Sequence, residues 1–225
     1  MARKVGRCGP FALLLYLIPS LVTPLNLAQL SHLLFWNRSA AKRPLLTLAL
    51  TNGVMGATGD ILAQYISPPP PAAADAKKTF SSQYNPWRTA RFFAYGCMFA
   101  PVAHRWYSLL DRRLPFPAKA AASSSAQRGP TSAAMLLTAC KRVVADQTVF
   151  APAAIAAFFT VMGVMEGKGP SEIGASLRER YPEALVGNYV LWPAAQLINF
   201  SLVPLIYRVP FSSLVEACEV LEADY

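Results

Sequence analysis

The chain has 225 residues, of which 54% are hydrophobic and only 15% charged, with a mean hydropathy of +0.31 and a formal net charge of +9. Charged residues make up roughly 25% of an ordinary soluble domain, so this composition argues against one and for an integral membrane protein. The basic residues flank apolar segments rather than forming one patch, which argues against nucleic acid as a partner and reads as membrane topology.

Residues 1–43 form a basic leader or interfacial segment. Arg3, Lys4, Arg7, Arg38, Lys42 and Arg43 fall in it, and no acid precedes Asp60. The apolar run Phe11 to Ile18 is short and is followed by Pro19 and Pro24. The cleavage region is poor, which favours an organelle leader over a secretory signal.

A membrane domain is expected over residues 44–208, with spans at 44–66, 91–110, 143–165 and 184–207. The first is about long enough to cross a bilayer. "SPPPPAAADAKK" (Ser67 to Lys78) cannot continue a helix, because consecutive prolines remove donors and clash with the preceding turn. The second span is interrupted by Pro101, His104 and Arg105, and on hydropathy it is the weakest of the four. "FPAKAAASSSAQRGPTSAA" (Phe116 to Ala134) is a low-complexity link. "EGKGPSEI" (Glu166 to Ile173) closes the third span and offers Ser171 as the next helix cap. The fourth span carries no charge, and Pro193 and Pro204 are expected to kink it. Residues 209–225 form an acidic tail. Lysine and arginine counts on the links put both termini on the positive side, matrix or cytosol.

Faces follow from about 100° per residue. Asn52, Gly56, Asp60 and Gln64 recur every four residues, with Ala49, Gly53, Ala57, Gly59 and Ala63 on the same side. Leu50, Val54, Met55, Ile61, Leu62 and Tyr65 fall opposite. In lipid the small, polar face turns inward, where small residues let helices approach and polar ones find partners. In the fourth span Asn188, Trp192, Gln196 and Asn199 share a face; in the third, Asp146, Phe150, Ala153 and Ala157 form an inward stripe. The expected inward polar set is therefore Asn52, Asp60, Gln64, Asp146, Gln147, Trp192, Gln196 and Asn199.

A carboxylate at membrane depth costs about 2.5–3.5 kcal/mol and so needs a partner or water. Arg88, Arg91 and Arg105 around the second span are the available cations, with Arg208 at the end of the fourth. Three readings stay open: Asp60 and Asp146 close structural ion pairs or polar clamps, they border an aqueous path, or Asp60 is protonated and unpaired. His104, Trp106 and Tyr107 read as an interface belt.

Catalysis is not expected. His32 and His104 have no companion ligands at zinc spacing. The four cysteines, Cys8, Cys97, Cys140 and Cys218, share no CxxC spacing and read as free thiols. No cofactor is implied.

Four blocks carry a resemblance: "TNGVMGATGDILAQ", "RTARFFAYGCMFAPVAHRWYSLLD", "KRVVADQTVFAP" with "GVMEG", and "NYVLWPAAQLINFSLVPLIYR". In this order they resemble the Mpv17/PMP22 family of small organelle membrane proteins, over most of Pro44 to Arg208. The resemblance implies an all-α fold, an integral membrane four-helix bundle, no enzyme activity, and an association with pores for small solutes and organelle homeostasis. Its motif positions fall on Gly59, Asp60 and Gln64; on Arg88, Arg91, Gly96, Pro101, His104, Trp106 and Tyr107; on Asp146 and Gln147; and on Trp192, Pro193, Gln196, Asn199, Phe200, Pro204 and Arg208. It also implies a helix after Arg208, but the segment here, "VPFSSLVEACEVLEADY", lacks the family's usual ending.

The resulting expectation is a protein of the mitochondrial inner membrane, or alternatively the peroxisomal membrane, that forms or regulates a pore for small solutes. Lipid and small solutes are its expected partners, with self-association left open. The alternative is a non-conducting scaffold whose polar faces serve assembly. A secondary transporter is a weaker third, since four helices are few for alternating access.

Overall fold

The computed structural model describes residues 36–66, 84–117 and 132–223. Most of the basic leader and the two low-complexity links lie outside the described residues. Within them the fold is all-helical. Residues 36–42 are helical, and the helices that follow are α1 (Pro44–Ile66), α2 (Pro86–Arg113), α3 (Ser132–Ala145), α4 (Ala151–Met165), α5 (Pro170–Leu202) and α6 (Arg208–Ala223). A π turn (Asp146–Phe150) joins α3 to α4 as one rod.

Burial is inverted relative to a soluble bundle. Asn52, Asp60, Arg142, Asp146, Gln147, Gln196, Asn199 and Arg208 are buried, while Leu46, Leu50, Val54, Val144, Val164 and Val190 are exposed. Polar groups inside and large apolar side chains outside are what lipid as solvent selects. Two helical rods, Pro44–Ile66 and Ala133–Met165, are long and apolar enough to cross a membrane. The inward Asn188, Gln196 and Asn199 dilute the hydropathy of α5, and Arg88, Arg91, His104 and Arg105 dilute that of α2.

Local chemistry sets the helix ends. Pro86 opens α2 at N1, where a missing N–H costs nothing, and the Asn85 side chain accepts from the Arg88 amide at 3.1 Å. Beyond the end of α4, Gly167 has a φ of +76° that lets Lys168 N–H return to the Gly163 carbonyl at 3.0 Å. Ser171 does not cap α5, because Pro170 starts the helix one residue earlier with Gly169 as its cap. Glu172 then accepts from the Gly169 amide at 2.8 Å. Pro204 terminates α5 instead of kinking it. The residue before a proline is forced extended, and Val203 has φ −92° and ψ 122°. Pro101, Pro182 and Pro193 do lie inside helices.

α1 and α2 form a tight antiparallel hairpin. A Cβ built on Gly96 would meet the Asn52 carbonyl oxygen at 2.6 Å, and one on Gly53 would meet Cys97 Sγ at 2.5 Å. These glycines bring the two backbones together. The apolar core gathers Leu48, Ala100, Ala103, Tyr107, Leu110, Phe200 and Val209. The start of the acidic tail is helical, and α6 buries Val209, Ser213 and Val215 in the bundle.

Candidate functional site

The inward polar residues divide into three groups. The first closes the α1–α2 hairpin. Asp60 is 3% exposed, and its Oδ1 lies 2.7 Å from Arg88 Nε. Its Oδ2 accepts from the Thr89 hydroxyl at 2.6 Å and from Gln64 Nε2 at 2.7 Å. Gln64 also accepts from the Asn85 amide at 2.7 Å. The last turn of α1 is thereby tied to the first turn of α2. Asp60 closes against an arginine-bearing helix and does not border the cavity described below.

The second group gathers α2, α3 and α6. Asp111 Oδ1 lies 2.5 Å from Arg142 and 2.9 Å from Arg208. Arg142 also donates to the Leu114 carbonyl through Nε and Nη2, at 3.1 and 2.8 Å. Arg208 donates to Val203 O at 3.1 Å. Arg208 was expected to neutralise an intramembrane acid; its partner is Asp111, at the end of α2.

The third group surrounds Asp146, which is 1% exposed. Its carboxylate accepts from Trp106 Nε1 at 2.8 Å, Gln147 Nε2 at 2.9 Å and Gln196 Nε2 at 3.0 Å. Gln196 also donates to the Tyr107 hydroxyl at 3.2 Å, and Asn199 donates to Gln196 Oε1 at 2.8 Å. Asn188 donates to Gln147 Oε1 at 2.8 Å. From α6, the Ser212 hydroxyl lies 3.0 Å from that of Tyr107, and Ser213 donates to Asn52.

This network borders a half-open cavity of about 520 Å³ touched by α1, α2, the π turn, α4, α5 and α6. Asn52, Tyr107, Asp146, Gln147, Trp192 and Gln196 contribute to its lining, and aromatic rings supply much of the rest.

Several expectations shift. Trp106 and Tyr107 do not form a surface belt; both hydrogen-bond inside the bundle, and Tyr107 is buried. His104 is half-buried. Arg105 is exposed and forms no ion pair among the described residues. Arg91 faces Glu166 at 3.7 Å instead of Asp60. The inward stripe of the third span turns partway along. Ala153 and Ala157 are exposed, while Ala151, Ala154, Ile155 and Phe158 line the cavity. The π turn inserts one residue and so rotates the following face by about 100°. Pro152 has no N–H to donate, which fits a widened turn just before it. Asp111, Arg142, Thr89, Ser212 and Ser213 were not anticipated. Thr89 lies four residues from the N-cap asparagine, and the serines lie in the segment read as a tail.

Outside the membrane helices, a hydrogen bond from Lys168, 2.6 Å away, holds the Glu166 carboxyl below its ordinary range, with Arg91 adding to the effect. Cys97 and Cys140 are free thiols.

A sequence profile of the Mpv17/PMP22 family matches residues 163–218. Protein SYM1 of Eremothecium gossypii is 34% identical over 176 residues, covering 78% of this chain and 84% of its own. The rat mitochondrial inner membrane protein Mpv17 is 33% identical over 175 residues, covering 77% and 85%. Its human counterpart of the same name is 32% identical over 191 residues, covering 84% and 92%. No solved structure matches. With these relatives spanning most of both chains, the protein belongs to the Mpv17/PMP22 family and is a protein of the mitochondrial inner membrane.

Proposed function

We propose that this protein provides or regulates a path for small solutes across the mitochondrial inner membrane, through a bundle of four membrane-crossing rods: α1, α2, α3–α4 and α5. The observation that carries the reading is the cavity of about 520 Å³ at the meeting of these rods, with Asp146 in its wall. Its volume falls in the range of about 300–1,000 Å³ common for small-molecule sites. Charged and polar groups set preference in such paths, as rings of side chains do in channels. The role is passage, not catalysis. Reconstitution into liposomes tests it. Entrapped small solutes should leave protein-containing vesicles faster than protein-free ones, and equal rates would sink the proposal.

A second reading, a non-conducting scaffold, is favoured by the α1–α2 hairpin. Gly53, Gly96 and the Asp60–Arg88 pair close that interface and leave no lumen between the two helices. It requires reconstituted protein to carry no flux while loss of the hairpin lowers assembly.

A further inference from the structure

The two buried carboxylates are neutralised differently. Asp60 faces Arg88, whereas no basic side chain among the described residues pairs with Asp146. Three neutral N–H donors point at Asp146 instead, which is the coordination of a carboxylate and uses three of its roughly four acceptor positions. A buried negative charge lacking a cation is costly, and a bound cation removes that cost.

The cavity wall supplies the rest. Phe92, Tyr95, Phe99, Phe150 and Phe158 line it, and Tyr95 meets Phe158 edge-on with centroids 5.1 Å apart. Among the described residues, no arginine, lysine or histidine lines the cavity. Aromatic faces beside a buried carboxylate attract an organic cation. Calcium or magnesium, which takes six or more oxygen ligands, fits poorly, and no group of three His, Cys, Asp or Glu that could hold another metal gathers among the described residues.

We infer that the cavity takes a small alkylammonium cation, its charge toward Asp146 and its alkyl groups against the rings. A role for that binding in transport rests on the solute-path reading; the binding itself does not.

The test uses the full chain purified in an uncharged maltoside detergent. Titration calorimetry compares choline with its uncharged isostere, in which a tert-butyl group replaces the trimethylammonium. Choline should bind at least about tenfold more tightly. Asp146→Asn should abolish most of that preference while leaving the isostere unchanged. Phe158→Leu keeps an apolar wall but removes a ring face, and should weaken choline about threefold with no effect on the isostere. Equal binding of choline and isostere, or choline affinity unchanged in Asp146→Asn, would overturn the inference. Should Asp146→Asn fail to fold, the isostere comparison and Phe158→Leu decide. Competition by phosphatidylcholine but not phosphatidylglycerol assigns the ammonium to a lipid headgroup; its absence assigns a free solute. Both results keep the ammonium class. Choline binding without liposome flux overturns the path and keeps this inference. Flux without preference for choline over the isostere overturns this inference alone.

Discussion

Arg88 reaches Asp60 at 2.7 Å across the α1–α2 interface, yet the two ends of the pair sit in different surroundings. The Asp60 side chain is fully buried and that of Arg88 is 42% exposed. The pair therefore anchors a buried carboxylate to a cation that still meets solvent or headgroups. This moderates the desolvation cost of a fully buried pair. Thr89 and Gln64 satisfy the other carboxylate oxygen, so Asp60 serves hairpin closure while Asp146 faces the cavity.

Asp60→Asn should loosen the hairpin. The substitution keeps the shape but removes the charge facing Arg88 and turns one acceptor into a donor. The expected loss is about 1–3 kcal/mol. Thermal unfolding of purified protein in detergent, followed by circular dichroism, checks it; an unchanged midpoint contradicts it.

Asp111→Asn should cost more. It leaves Arg142 and Arg208, with side chains only 1% and 5% exposed, facing each other without the acid that joins them. Breaking a buried charge cluster by removing one member costs about 3–5 kcal/mol. Yield of folded protein should fall below that of Asp60→Asn, and Asp111→Glu should recover part of it.

The glycines of the hairpin should differ sharply. Gly96→Ala places a Cβ 2.6 Å from the backbone oxygen of Asn52, which cannot swing aside. Overpacking of this kind costs about 1–3 kcal/mol. Gly59→Ala meets nothing within 4 Å and should be neutral or gain up to about 1 kcal/mol from helix propensity. Side-by-side melts of the two variants separate close packing from a generic glycine effect.

Glu166 gives a dependence on pH. Its carboxyl is held low by Lys168 first, with help from Arg91. A depressed folded value means that the stabilisation is present above the ordinary carboxylate range and is lost as pH falls through the folded value. Both partners are partly exposed, so the effect stays below about 1 kcal/mol. Glu166→Gln should lower the melting midpoint near neutral pH, and the gap from wild type should close as the sample is acidified. A gap that widens on acidification contradicts the sign.

The sequence made the inward faces readable wherever the helical period runs unbroken. On α1, Asn52 and Asp60 are buried, while Leu50, Val54, Ile61 and Tyr65 are exposed, as expected of one small, polar face. On α5, Gln196 and Asn199 are buried on the expected face. The pattern failed beyond Asp146. A wheel drawn at constant pitch cannot register the residue that the π turn inserts, so Ala153 and Ala157 were placed inward in error. Partner choice was also hidden. Arg88, Arg91 and Arg105 are equivalent as cations in a one-dimensional reading, and only the antiparallel register of α1 and α2 brings Arg88 to Asp60. Trp106 was read as a belt residue because an amphipathic ring suits that depth. Its indole N–H instead meets a carboxylate 40 residues away.

The division of labour between the two aspartates is the central claim, and ion preference in planar bilayers tests it most directly. Asp146→Asn should shift the reversal potential under a salt gradient toward lower cation preference. Asp60→Asn should reduce the number of active molecules and leave the reversal potential of those that remain unchanged. A reversal potential that moves with Asp60→Asn and stays fixed with Asp146→Asn would contradict the account.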